Sequence, residues 1–210
     1  MPETPQQYTE RMLSHSRGKD PMRLQQAAPR KFAALTRGLS KKHLSSRPAP
    51  GKWSIAEILA HLADAELVIG YRLRLILASN GTAIQAFDQD AWAGTFAYSQ
   101  RDPKTSLETY RALRENNLRL LSSVPRRLWK NYGQHQERGK ETIDHIVRLI
   151  AGHDLNHLQQ VEKIAKKWQE GSAGPSTPLR AGSGRRYLSP KVSANNWVSF
   201  SKARSAWGWL

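Results

Sequence analysis

The chain has 210 residues, a formal net charge of +16, 39% hydrophobic residues and no cysteine. That length allows one main domain plus a tail, and the lack of cysteine excludes disulfides and thiolate ligands, leaving His, Asp and Glu as the strong metal-binding side chains. No apolar run approaches a bilayer span, and Met1 to Arg30 is polar with no hydrophobic signal core, so a cytoplasmic chain with no membrane partner is expected.

The positive charge is unevenly spread. Residues 51–168 hold seventeen Lys/Arg against thirteen Asp/Glu, residues 31–50 hold five basic residues and no acid, and residues 169–210 hold six against one. The excess therefore sits in a connecting segment and in the tail, where solvation is the plain reading and attraction to nucleic acid the sharper one. No nucleic-acid motif accompanies it, which favours solvation.

In chain order, a first helix is predicted from about Pro21 to Gly38, with Leu24, Ala27, Ala28, Phe32 and Leu35 on one side. After a loop with Pro48, Pro50 and Gly51, a second runs from Ser54 to about Ser79. Ser54 and Glu57 have the spacing of a capping box, and Trp53 and Ile58 that of a hydrophobic staple. His61 lies in the second turn, flanking the inward face between Ile58 and Ala65, with Leu62 competing for the centre of the stripe.

Asn80-Gly81 closes that helix, and a long connection, Thr82 to Arg101, carries Phe87, Trp92, Phe96 and Tyr98. Long connections in compact domains are often functional. Asp88, Asp90 and Trp92 are accordingly expected to border a cleft and gate substrate entry; the rival reading makes Phe87 and Trp92 surface anchors with the aspartates in water. Asp102-Pro103 then opens a third helix through Leu107, Tyr110, Leu113, Leu118 and Leu121 to Val124-Pro125. His135, before the last helix, reads as a solvated turn histidine.

The last helix places Ile146, Ile150, His153, His157, Val161, Ile164 and Trp168 on one stripe, so two imidazoles interrupt an apolar face. Neutral imidazoles at i and i+4 converge on one point, as a divalent ion requires, and His61 is the candidate third ligand. Seven histidines make the spacing alone weak evidence, and satisfied buried histidines are the rival. His145 lies too far along the axis to share such an ion. From Gly171 the sequence turns to Ser, Gly, Pro and basic residues and reads as a disordered tail, with a nucleic-acid or membrane-surface contact the lesser option.

Three separated stretches, Pro48 to Glu66, Phe87 to Trp92 and Ala151 to Gln160, together resemble the DinB-like superfamily of damage-inducible four-helix metalloenzymes over roughly Tyr8 to Trp168. The resemblance implies an all-α fold: an up-down-down-up four-helix bundle over residues 8–168, followed by the basic tail 169–210. It carries the family's three-histidine site for zinc, nickel or a similar ion onto His61, His153 and His157. Because some relatives use low-molecular-weight thiols for S-transfer, it implies a metal-dependent transferase or hydrolase acting on a small molecule, with a thiol as a further cofactor. Glu57, Asp64 and Asp154 are then candidates for a general base or for orienting the ligands. A non-catalytic metal-binding stress-response module is the alternative, a basic nucleic-acid binder a more distant one, and a homodimer is compatible with each.

Overall fold

A computed structural model describes residues 3–172, so the predicted tail from residue 173 on lies outside the described residues. The chain begins with a helix that the sequence reading did not place, α1 (Pro5–Ser16), opened by a capping box between Thr4 and Gln7. It buries only Tyr8, Met12 and Ser16, one residue per turn, too thin a stripe to stand out in a polar segment. α2 (Pro21–Thr36) is capped by Asp20, and a short α3 (Lys41–Ser45) follows. α4 (Ile55–Ala78) opens on the expected capping box, with Ser54 and Glu57 each bonding the other's backbone. Strand β1 (Thr82–Ile84) and helix α5 (Gln89–Thr95) break up the long connection. α6 (Pro103–Ser123) is capped by Asp102, and β2 (Tyr132–His135) and β3 (Gly139–Thr142) lead into α7 (Ile143–Ser172).

Helices α2, α4, α6 and α7 form the expected four-helix bundle, and the small sheet fixes the direction of three of them. β1 pairs parallel with β2, and β2 antiparallel with β3, so α4 and α6 both run toward the sheet while α7 leaves it. Contacts along the helices agree: Asp64 meets Arg101 just before α6, then Glu66 meets Arg114 and Arg74 meets Asn117, in parallel order on α4 and α6. Gln25 of α2 donates to the Val147 carbonyl near the start of α7, and Leu35 packs in the cluster holding Leu155 and Leu158, so α2 runs with α7. The path is up, down, down, up. The sheet was not anticipated, because four-residue strands carry almost no periodic pattern.

Among the described residues the apolar interior falls into two large clusters and a small third one of Tyr8, Met12 and Leu149 where α1 meets α7. One large cluster gathers Ile69, Leu73, Ile76, Ile84, Ile143, Ile146 and Ile150 at the sheet end, and the other gathers Phe32, Ile58, Leu62, Tyr110, Val161 and Ile164 at the opposite end. Between them lies a buried polar layer of His61, Glu66, Arg114, Asn117, His153, Asp154 and His157. This layer corrects the sequence reading of α6: Leu107, Leu113 and Leu118 are only half-buried, while Ser106, Tyr110, Arg114 and Asn117 form the inner stripe. Arg114 also compensates an irregularity in α2. Pro29 lies inside that helix and has no N–H for the Gln25 carbonyl, to which Arg114 donates at 3.4 Å.

α1 packs across α7 at Gly152, where a Cβ atom would stand 1.8 Å from the Met12 carbonyl oxygen. In an open helix Gly→Ala stabilises by about 1 kcal/mol. Here the obstructing atom is backbone, so Gly152→Ala is expected to destabilise the protein by about 1–3 kcal/mol. A lowered midpoint in denaturant unfolding checks this, and an unchanged or raised midpoint contradicts it.

Candidate metal centre

His61 faces inward from the second turn of α4, and His153 and His157 face it from one stripe of α7. All three residues are buried, and His61 is fully so. The Nε2 atoms of His61 and His153 are 3.1 Å apart, and those of His153 and His157 3.0 Å apart. The donor nitrogens of the three rings lie within 4.8 Å of one another. A ring Nε2 has one lone pair or one proton in the ring plane, so His153 cannot satisfy two such contacts with linear hydrogen bonds. A shared cation satisfies all three. Two ligand nitrogens on a tetrahedral ion with bonds of about 2.0–2.1 Å stand about 3.3 Å apart, close to the separations found here.

Electrostatics favours the same arrangement. Burial, then the neighbouring imidazoles, holds His61 and His153 well below the usual histidine range, and burial brings His157 down to about 4. The rings are therefore neutral at physiological pH, the state in which imidazole binds a metal. Gln160, one turn beyond His157, orients that ring: its Oε1 lies 2.8 Å from His157 Nδ1, accepts the proton there and leaves the Nε2 lone pair facing the other two histidines. His61 Nδ1 is buried without a hydrogen-bond partner among the described residues, beneath the Trp53 ring 5.1 Å away.

The carboxylates singled out from the sequence are engaged elsewhere. Glu57 accepts from the Ser54 N–H and hydroxyl at 2.8 and 2.9 Å and pairs with Arg47. Asp64 pairs with Arg101 at 2.8 Å, tying the end of the long connection to α4. Asp154 accepts from the Tyr110 hydroxyl at 2.9 Å and pairs with Arg114, whose other face holds Glu66 at 2.7 Å. None of their hydrogen bonds goes to the three histidines.

A cavity of about 390 Å³ has Trp53, Ile58 and Ile164 as apolar walls, Gln160 in its lining and Lys163 and Lys167 at the rim; the three histidines do not line it, but Trp53 and Gln160 separate it from His61 and His157. Asp88, Asp90 and Trp92 are not among its lining residues. Asp88 caps α5, accepting from the Asp90 and Ala91 N–H groups, and Trp92 packs between Phe87 and Phe96 at ring distances of 4.8 and 5.2 Å. Phe87 stacks over Arg72, three turns along α4 from His61, which puts this aromatic cluster at the sheet end. Of the long connection, Tyr98 comes near the centre, against Trp53 at 6.3 Å. Gln160 and Arg114 were missed in the sequence; the detectable signal was a polar residue breaking a helical seam.

A family model described as the DinB superfamily matches residues 24–161. The chain is 31% identical over 138 residues to a candidate metal-dependent hydrolase of Oceanobacillus iheyensis, covering 64% of this chain and 76% of that protein. It is 23% identical over 141 residues to YfiT of Bacillus subtilis, another candidate metal-dependent hydrolase, covering 66% and 79%. The solved structure of YfiT, described as having an unusual four-helix bundle topology, superposes with a TM-score of 0.67 at 20% identity, over 71% of this chain and 86% of that one.

With the ion chelated, the three histidines are neutral when folded but titrate normally when unfolded. Their folded values are depressed, so the unfolded chain takes up protons first as pH falls, and stability should drop from about pH 6.5 toward pH 4. Unfolding midpoints of the chelated protein across this range provide the check; a flat profile contradicts it.

Proposed function

The chain belongs to the DinB superfamily, and we propose that it is a metal-dependent enzyme that hydrolyses, or transfers sulfur to, a small molecule at a centre formed by His61, His153 and His157. The convergence of three neutral Nε2 atoms on one point carries this reading. Imidazole donors with no thiolate or carboxylate among them suit zinc or nickel. Three protein ligands leave a position open, at which such an ion supplies an activated water, a polarised carbonyl or a bound thiolate.

The side chains of the protein do the rest. Gln160 sets the tautomer of His157, Trp53 roofs His61, and the neighbouring cavity has an apolar wall for the body of a substrate and lysines at its mouth for acidic groups. Asp154, Glu57 and Asp64 are positioning residues in this scheme, fixing α7, the start of α4 and the long connection. The domain is taken as residues 8–168, with α7 continuing past that boundary to Ser172. With no cysteine in the chain, a sulfur nucleophile has to arrive as a free thiol, so hydrolysis and thiol transfer differ only in what enters the cavity.

Elemental analysis of the purified full-length protein should find about one divalent ion per chain. His153→Ala should lose it while circular dichroism stays helical, because the two apolar clusters remain. A screen of activated esters with and without added small thiols then separates the two reactions. Equal metal content in His153→Ala and parent contradicts the assignment.

A further inference from the structure

The β2–β3 hairpin buries a second polar cluster, which the histidine centre does not use. His135, expected in solvent, is 1% exposed. Its Nδ1 accepts from the backbone N–H groups of Glu137 and Arg138 at 3.2 and 3.3 Å, so the ring proton is on Nε2. That Nε2 is buried with no hydrogen-bond partner among the described residues. The Arg138 side chain is 4% exposed; its Nε and Nη2 hold Glu141 at 2.7 and 3.1 Å, while its Nη1 is buried and unpartnered in the same sense. From α4, Arg72 enters the same region, 3% exposed, donating to the carbonyl of Gln85, which follows Ile84, the strand partner of His135. No carboxylate among the described residues lies within ion-pair distance of Arg72. Tyr8 of α1 has a third buried hydrogen-bonding group without a partner among the described residues, and Arg138 is the cation that most strongly counters the upward push of burial on its phenol.

Arg138 is paired with Glu141, while Arg72 feels Glu141 and the exposed, solvent-screened Glu137 without an ion pair to either. Burial, then the charge of Arg138, brings Arg72 down to about 10, so it keeps its proton at neutral pH. One buried guanidinium is left without a buried carboxylate of its own, and the Tyr8 hydroxyl, His135 Nε2 and Arg138 Nη1 without partners among the described residues, a costly state for buried groups. A water molecule would satisfy donors but not the charge, and a dianion would exceed it. A monoanion with two acceptor oxygens meets both demands.

We propose that Tyr8, Arg72, His135 and Arg138 form a buried receptor for one carboxylate group. Arg72 lies on the same stripe of α4 as His61, about 16 Å along the axis at 1.5 Å per residue. Tyr8 packs on Leu149, one turn before His153 on α7. The receptor stands on its own geometry; identifying its ligand as the acidic end of the enzyme's substrate rests on the metal-centre reading.

The test is calorimetric titration of the metal-loaded, full-length protein with sodium acetate at constant ionic strength. Saturable binding of about one acetate per chain is expected. Tyr8→Phe, which deletes only a hydroxyl lacking a protein partner, should weaken it about tenfold with metal content unchanged. Arg138→Met should abolish it. Acetate at the ion would instead perturb the visible spectrum of the cobalt-substituted protein and ignore Tyr8→Phe; that result, or no saturable binding, overturns the receptor. Tyr8-dependent binding in protein that holds no metal would retain the receptor and remove the metal reading. Acetate that competes with a turned-over ester marks a substrate carboxylate, and binding without competition a free one; either supports the receptor.

Discussion

Arg114 carries a positive charge into the middle of the bundle, and two helices are turned to meet it. Glu66 of α4 and Asp154 of α7 hold opposite sides of its guanidinium, with the Tyr110 hydroxyl and the Asn117 amide completing the two carboxylates. Stranding one partner of such a buried pair costs about 3–5 kcal/mol. Neither α4 nor α7 can therefore rotate about its own axis without losing its acid's partner. His153 is the residue before Asp154 and His61 lies five before Glu66, so the ion network that faces α6 also fixes the imidazoles that face each other. The three-histidine cluster inherits its geometry from a contact in which no histidine takes part.

That arrangement separates two tasks across one layer. The α6 side of the layer is saturated with partners and serves as a rigid support, while the side between α4 and α7 keeps nitrogen lone pairs turned toward each other. Apolar clusters on both ends shield the layer, which is why three histidines stay neutral without a carboxylate to hold them. The cavity against Trp53 and Gln160 stops at side chains that touch His61 and His157, on the side of the layer away from the Arg114 support.

Much of this was legible in the sequence because it is periodic. The His153/His157 stripe on α7, the Ser54/Glu57 cap and the Asp102-Pro103 start all follow from spacing, and the capped start places His61 on the inner face. What was not legible depends on partners distant in sequence. On α6, Tyr110 and Leu121 are legible as inner residues, but Leu107, Leu113 and Leu118 stand in for the rest of the stripe because Arg114 looks like a surface residue until Glu66 and Asp154 are brought beside it. His135 looks solvated until the hairpin folds over it. Asp88, Asp90 and Trp92 formed a plausible cleft border in sequence, yet the first caps a helix and the last joins an aromatic cluster at the sheet end, since aromatic residues in a long loop pack wherever an apolar surface is nearest.

The absent side chain at Gly152 reaches further than a packing detail. Because the Met12 carbonyl fits only where α7 has no Cβ, α1 can seat in a single register, like a key with one notch. Sliding it by one residue would swing every α1 side chain by about 100° and carry Tyr8 off Leu149 and away from Arg138. The link between α1 and α2 spans only residues 17–20, too short to absorb a slip. Insertions or deletions in that link are therefore a different kind of change from those in other surface loops, since they would alter which face of α1 closes over Arg138 and His135 of the hairpin and Arg72 of α4.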